Sequence, residues 1–468
     1  MTARRTLDLL RDFESRNVTH IEPDGSWPIV WQRARGVRVR DEDGKDYLDL
    51  TAAFGVAAAG HANPRVVRAG QRQMATLLHA MGDVHPHALK AQLARKLSRI
   101  TFERWCARSD GNAQSSASKT GDTTGKTIFC NSGFEAVEAA LKTAMLATRK
   151  PGVIAFDGAY HGLGYGALNL TQRRHFRSPF RRQLREFGRF VPFPLQQPSE
   201  HAQGLDHSPA LDEISARIRR LFGRERIGAI LVEPIQVRGG IRIPPRGFLP
   251  MLQRLCREHE AVLIVDEIYT GFGRTGAWFA CEHSQTIPDV ICLGKALTGG
   301  FPLSACVGHA DLMDAAWPPS SGEAIHTSTF LGHPVGCAMA LAQIDEIERR
   351  NLPQRSAALG EFLLSALIAL SRELNLDRRV GLRFEARGLG LLSGLELRKP
   401  NGAPAGEAVM RVIKAMLGKG FILLPEGEHG NVISFTPPLT ISRAQLAETL
   451  QALRKSIKAL QNQKVFRQ

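Results

Sequence analysis

The sequence predicts an α/β protein: a large domain with a mainly parallel, helix-covered sheet, joined to a smaller α+β domain formed by both chain ends. Two observations carry that reading. From about His85 onward, short apolar runs ("TIFCNSG", "GVIAFDG", "IGAILVEPI", "AVLIVDE", "DVICLGKAL", "LSACVG") alternate with helix-length spacers. Strands separated by helices form parallel sheets covered on both faces. Both chain ends break this rhythm, with hairpin-like alternation before residue 51 and strand-like runs after about Gly336.

Taken in order, "VRVRDEDGKDYLDL" (Val37 to Leu50) alternates, turns at Asp43-Gly44 and alternates again, a hairpin signal. "SDGNAQSSASKTGDTTGK" (Ser109 to Lys126) holds Ser, Thr and Gly without apolar periodicity and reads as an exposed insertion. After a long helical stretch, "GLRFEARGLGLLSGLELR" and "GFILLPEGEHGNVISFTPPLTIS" read as strands, and the chain ends on a basic helix. The expected division is 1–70 for the N-terminal part of the small domain, 71–335 for the large domain and 336–468 for the C-terminal part of the small domain. No internal repeat is evident.

At 468 residues the chain exceeds one simple core. With 43% apolar and 23% charged residues it has the composition of an ordinary globular protein rather than a disordered or fibrous one. The formal charge of +16 raises the question of nucleic acid. Its arginines are spread along the chain and only 7% of residues are aromatic, so no stacking platform or recognition helix stands out, and no nucleic-acid partner is expected. A positive field that attracts anionic metabolites is the better reading. The seven cysteines are far apart with no C-x-x-C pair, as in reduced core residues. The charged N-terminus lacks the apolar core of a signal peptide, and no apolar run approaches the roughly 20 residues of a membrane span. A cytoplasmic protein without a membrane partner or a metal is expected.

Open α/β sheets bind ligands at the carboxyl ends of their strands. Asp266 closes one apolar run and Lys295 closes the next. A lone lysine after a strand is commonly a snorkelling surface residue. That reading leaves two opposite charges at adjacent strand ends, facing a Gly-rich loop, without a reason. Pyridoxal 5'-phosphate accounts for both, because it needs an amine to form a Schiff base and an acid to keep its ring nitrogen protonated. Asp266 is then the acid and Lys295 the amine, made nucleophilic by desolvation and able to move a proton at the substrate Cα. The Ser-Gly-Phe turn of "CNSGFEAVEAALKTA" opens a helix whose N–H groups, with the Ser132 hydroxyl, can hold a phosphate.

Over nearly its whole length the chain resembles the class III family of pyridoxal-phosphate aminotransferases, of the aspartate-aminotransferase fold type (fold type I). "GVRVRDEDGKDYLDL", "GHANP", "NSGFEAVEAALKTA", "AYHG", "EPIQ", "VDEIYTGFGRTG", "LGKALTGGFPLSA", "HTSTFLGHPVGCAMA", "RGLGLLSGLEL" and "TPPLTIS" occur in the family's order. The resemblance implies that Asp266 binds the ring nitrogen, Ile268 packs under the ring and Tyr160 stacks on its other face. It implies that Ser132, Gly133 and Phe134 hold the phosphate, with His161 and Glu233 also at the cofactor. Thr329 matches the threonine that reaches the phosphate of a neighbouring subunit, which implies a homodimer with shared active sites. The implied reaction moves an amino group from an amino acid or ω-amine to a keto acid or aldehyde.

Some positions depart from the family pattern. Ser434 stands where glutamate-using members commonly have an arginine, and Leu163 replaces the arginine of "HGR". Phe54 and Tyr269 replace a frequent tyrosine and glutamine. Serine cannot reproduce the planar match of arginine to carboxylate, so the usual dicarboxylate clamps are absent. Phe54 and Glu233 are the expected substrate contacts; Glu233 either faces a substrate ammonium or hydroxyl, or bonds to Arg238 or Arg242. "TQRRHFRSPFRRQLREFGR" (Thr171 to Arg189) carries seven arginines. They are a solvated face, or some of them, such as Arg174, Arg177 or Arg181, bind an acidic substrate. Arg274 is expected to tie its loop to Glu267. Two other functions share the scaffold: an ammonia- or phospho-lyase acting on a phosphorylated or phosphonate-bearing amine, and a catalytically silent binding protein.

Overall fold

The computed structural model describes residues 2–109, 123–195, 209–377 and 381–461. The expected insertion at 109–126 lies largely outside them.

The strands, in chain order, are β1 Trp31–Arg35, β2 Arg38–Asp41, β3 Asp46–Asp49, β4 Gly125–Cys130, β5 Gly152–Phe156, β6 Gly188–Val191, β7 Ile227–Val232, β8 Val262–Asp266, β9 Val290–Leu293, β10 Ser304–His309, β11 Arg383–Gly388, β12 Ser393–Arg398, β13 Phe421–Ile422, β14 Leu424–Glu426 and β15 Val432–Phe435. The large sheet runs β4-β10-β9-β8-β7-β5-β6. Its neighbours pair in parallel except around β10, which is antiparallel to both β4 and β9. Strands β7, β8, β9 and β10 are buried at every residue. Continuous apolar runs are what a sheet covered on both faces requires, so these segments read as unbroken rather than alternating.

The covering helices follow from local sequence. The helix Gly133–Thr148 turns an alanine-rich face inward, burying Ala136, Ala139, Ala140 and Ala144. At its start, Glu135 Oε2 accepts from the backbone N–H groups of Asn131 (2.7 Å) and Ser132 (3.4 Å), which fixes the turn entering the helix. The helix Phe248–Glu258 buries Phe248, Leu252 and Leu255, the i, i+4, i+7 stripe of a core-facing helix.

The two chain ends meet in a second sheet. The hairpin β2–β3 turns at Gly44, and β3 pairs in parallel with β13, the order being β1-β2-β3-β13. A third sheet, β11-β12-β15-β14, is antiparallel. The expected cuts at 70/71 and 335/336 fall inside the helices Pro64–Thr76 and Pro334–Arg349. One apolar cluster, from Leu48 and Leu93 through Val265 and Leu293 to Ile433 and Ile457, runs beneath both the large sheet and the smaller ones. That shared core fixes the cleft between them.

Candidate active site

A cavity of about 440 Å³ opens at the carboxyl ends of the parallel strands, and Asp266, Lys295, Tyr160, His161, Glu233, Ile268, Gly133 and Phe134 all line it. Register explains the first two. Asp266 ends β8 opposite Cys292 of β9, and Lys295 follows β9 by two residues, so both side chains leave neighbouring strand ends. Lys295 sits at φ +40, a left-handed conformation that costs a non-glycine residue about 1–3 kcal/mol and persists where surrounding structure imposes it.

Asp266 is tightly held. Its Oδ2 lies 2.8 Å from His161 Nδ1, and its Oδ1 accepts from the Ile268 N–H at 3.1 Å. His161 is buried, with its own N–H donated to Thr171 Oγ1 at 2.9 Å. The partner waiting for the acid at the end of β8 is therefore a histidine from the β5 loop, a role that sequence spacing did not reveal. Lys295 Nζ lies 4.6 Å from the centre of the Tyr269 ring, and burial lowers the lysine's pKa. A lysine so desolvated holds more of its amine in the neutral, nucleophilic form.

Glu233 is buried, and burial pushes its carboxyl up to about 7. Its Oε1 accepts from the Tyr160 N–H at 2.9 Å. Neither arginine offered by the sequence pairs with it: Arg242 donates to the carbonyls of Asp157 and Phe193, and Arg238 faces Glu426 at 3.5 Å. Glu233 thereby orients Tyr160, whose ring lies under the Arg238 guanidinium at 5.5 Å. Gly162 is needed beside them. Its φ is +108, and a Cβ there would stand 2.4 Å from Phe134 Cβ.

Other expectations land elsewhere. Phe54 is half exposed and does not line the cavity; it lies in a turn in which Ala52, Ala53 and Phe54 all have positive φ. Gly55 follows, and a Cβ there would meet the Tyr269 ring at 2.8 Å, so the turn packs against the site without Phe54 entering it. Thr329 is exposed, outside the cavity of a single chain. Arg177 is not brought to the cavity either: its guanidinium lies over the Phe190 ring at 5.0 Å and 3.9 Å from Glu186, so an aromatic face and a carboxylate satisfy it locally. Arg181 pairs with the same Glu186. Arg173 of the same segment also stays outside the lining of the cavity and donates to the carbonyls of Gly427 (3.1 Å) and Glu428 (3.2 Å), just after β14. Arg274 does not bind Glu267. It donates to the carbonyls of Leu391 (3.0 Å) and Pro437 (2.5 Å), while Glu267 accepts from the Thr270 hydroxyl and the Cys281 N–H.

The donor set fits pyridoxal phosphate. Ser132 Oγ and His161 Nε2 are buried without a hydrogen-bond partner among the described residues. Buried polar atoms are rarely left unsatisfied, and a bound polar ligand is one remedy. A carboxylate, a desolvated amine, a helix N-terminus and an aromatic ring converge on a space of the size that holds a small-molecule cofactor.

Comparison with known proteins agrees. The family profile of class III aminotransferases matches residues 21–457. The chain is 36% identical over 438 residues to the 4-aminobutyrate aminotransferase of Mycobacterium leprae (strain TN), covering 91% of this chain and 90% of that protein. It is 34% identical over 439 residues to a 5-aminovalerate aminotransferase of Pseudomonas aeruginosa, with 91% and 92% covered. Among solved structures, a Bacillus anthracis aminotransferase superposes with a TM-score of 0.82 at 27% identity, covering 98% of this chain and all of that one. An amine transaminase from an uncultivated Pseudomonas species, in PLP-bound form, gives 0.81 at 26% identity, covering 96% and 98%. The named relatives transfer amino groups, which does not favour the lyase reading. The chain belongs to the class III aminotransferases and is a pyridoxal-phosphate-dependent enzyme of amino-group transfer.

Proposed function

We propose that the enzyme moves the amino group of an ω-amine or amino acid to a keto acid or aldehyde, with Lys295 as the lysine that would hold the cofactor as a Schiff base and the other residues of the cavity in distinct roles. When bound, pyridoxal phosphate supplies a protonated ring that draws off the electrons left at the substrate Cα once its proton is removed. Asp266 would hold the ring nitrogen in its protonated form, and His161 holds Asp266. Lys295 would carry the cofactor and move the proton at the substrate carbon. Ile268 and Tyr160 would bound the ring faces, and Ser132, Gly133 and Phe134 would receive the phosphate at the positive end of their helix. Glu233, orienting Tyr160, also stands within the cavity to meet a substrate polar group. The observation that carries this reading is the convergence of Asp266 and Lys295 from adjacent strand ends, with His161 on Asp266, in one cavity.

The relatives act, by their names, on 4-aminobutyrate, 5-aminovalerate, putrescine and acetylornithine. We extend the ω-amine class from them to this chain. A panel of ω-amines and ω-amino acids, each offered with a keto acid or aldehyde acceptor and assayed for the new amine, tests it. Ammonia or phosphate released without a new amine would establish the lyase instead.

A homodimer is part of the same reading. Leu78, Met81 and Val84, with Ile325 and Phe330 near Thr329, are exposed apolar side chains on two segments. A second copy covering them would bring Thr329 to its neighbour's phosphate. Light scattering that finds a monomer under assay conditions would refute this. We place the enzyme in the cytoplasm: its seven cysteines are all free and buried, and no described helix is long and apolar enough to cross a membrane. Fractionation of the source cells tests that placement.

A further inference from the structure

The hairpin β1–β2 carries the run "RARGVRVR", Arg33 to Arg40, and its register concentrates positive charge. Arg33 stands opposite Arg40 and Arg35 opposite Arg38, with Ala34 opposite Val39 between them. Side chains alternate along a strand, so the four arginines share one face of the hairpin. Ala34 and buried Val39 take the other face and pack with Tyr47 and Ile422. Like charges directly opposite each other in a ladder are destabilising, and here two such pairs are adjacent. One carboxylate answers them. Asp46 of β3, opposite Arg40 in the register, accepts from Arg40 Nε at 2.8 Å and Nη2 at 2.6 Å. Arg33, Arg35 and Arg38 make no hydrogen bond or ion pair of their side chains among the described residues.

This face has a wall. The helix Pro64–Thr76 stands beside it, and the hairpin turn is clamped to the chain entering that helix: the Gly36 N–H donates to the His61 carbonyl at 2.9 Å, and the His61 N–H to the Gly36 carbonyl at 2.8 Å. Between hairpin and helix lies a groove of about 620 Å³, a volume that suits a small molecule. The four hairpin arginines line it on one side, and Pro64, Val67 and Arg68 on the other, so five arginines face the single carboxylate of Asp46. None of its lining residues lines the cofactor cavity. Opposed residues of a ladder lie roughly 5 Å apart and alternate residues of a strand roughly 7 Å, a patch that a chain of two or three phosphates can span. A guanidinium meets a phosphate through two parallel hydrogen bonds. We propose that the groove binds an organic polyphosphate of nucleotide size, with its phosphates on Arg33, Arg35 and Arg38 and its organic part against Pro64 and Val67.

A solvated face would also hold arginines, but it gives no reason to set them opposite one another or to close a wall around them. Arginines at other exposed positions, such as Arg217, Arg219 and Arg454, meet a glutamate at 2.6, 2.5 and 2.7 Å. In the groove the matching anions are missing from the chain itself, and a bound polyphosphate relieves the repulsion between the opposed pairs. The apolar wall and the bounded length of the patch favour a compact ester over a long polymer.

The test is calorimetric titration of the holoenzyme with magnesium-free ATP at about 50 mM salt, where screening is modest. One site per chain is expected. The double variant Arg35→Gln/Arg38→Gln is expected to raise Kd about 10- to 100-fold, with kcat for amino transfer unchanged. Without ligand it is expected to melt no lower than the native protein, because opposed like charges have been removed, so its weaker binding is not a loss of fold. Arg238→Ala, in the cofactor cavity, is expected to bind ATP as the native protein does. Inorganic tripolyphosphate is expected to bind the native protein at least about threefold more weakly than ATP, for want of the part that covers Pro64 and Val67. No ATP binding, equal Kd in the native protein and the double variant, loss of binding in Arg238→Ala, or tripolyphosphate binding as tightly as ATP would each overturn the proposal. So would tighter binding of a single-stranded DNA of about 20 nucleotides, which would make the face a nucleic-acid surface. The titration reads binding and not turnover, so its failure is distinct from a failure of the aminotransferase reading.

Discussion

The two sides of the cavity are built differently. On the cofactor side, Asp266 is bracketed by His161 at 2.8 Å and its own loop at 3.1 Å, and its position is set by the β8–β9 register. On the substrate side, the charged groups come from loops and from the small sheet, and the central pair, Arg238 and Glu426, stands at 3.5 Å with an oxygen unsatisfied. The contrast teaches that sheet register places Asp266 and Lys295, while side-chain contacts between loops and the small sheet place the charged groups opposite them. Preorganised groups lower barriers because they need no rearrangement during reaction.

Breaking the cofactor side should give the largest effects. Lys295→Ala is expected to lower kcat about a thousandfold or more, since it removes both the anchoring amine and the proton carrier. Asp266→Asn comes next, at about 100- to 1,000-fold in kcat, from the roughly 3–5 kcal/mol lost when one side of a buried charge pair is removed. Its cofactor absorbance should also shift, a readout that simple unfolding would not mimic. His161→Phe leaves a buried Asp266 oxygen without its donor, at about 1–3 kcal/mol, and is expected to weaken cofactor affinity about 10- to 100-fold, measured by equilibrium dialysis. Gly162→Ala sharpens the packing argument: the 2.4 Å approach to Phe134 and the positive φ are expected to lower stability by about 1–3 kcal/mol in urea titration. The smallest effect is expected at Arg177→Ala, with KM for a carboxylate-bearing amine changed by less than about twofold, because Phe190 and Glu186 already occupy its guanidinium. A large change there would place Arg177 on the substrate side of the cavity.

The legible parts of this molecule were those that local sequence controls. Unbroken apolar runs marked the buried parallel strands, and the charges closing two of them, Asp266 and Lys295, marked the site. What stayed hidden depends on long-range contacts between side chains. Glu426, on β14 beside β15, lies buried next to Arg238, and nothing in "LLPEGEHG" signals a buried acid. The sequence leads one to expect Arg274 to tie its loop to a carboxylate, whereas its guanidinium is buried against the Leu391 and Pro437 carbonyls. The arginines at 171–189 were visible as a group, yet composition could not separate Arg173, which reaches the loop at Gly427, from Arg177 and Arg181, which turn to Glu186.

The most direct test of the central claim, that Lys295 and Asp266 grip one cofactor, is borohydride reduction of the native holoenzyme followed by peptide mass mapping. The expected result is a single phosphopyridoxyl adduct on the peptide containing Lys295. An adduct on a different lysine, or none in protein that carries bound pyridoxal phosphate, would contradict it.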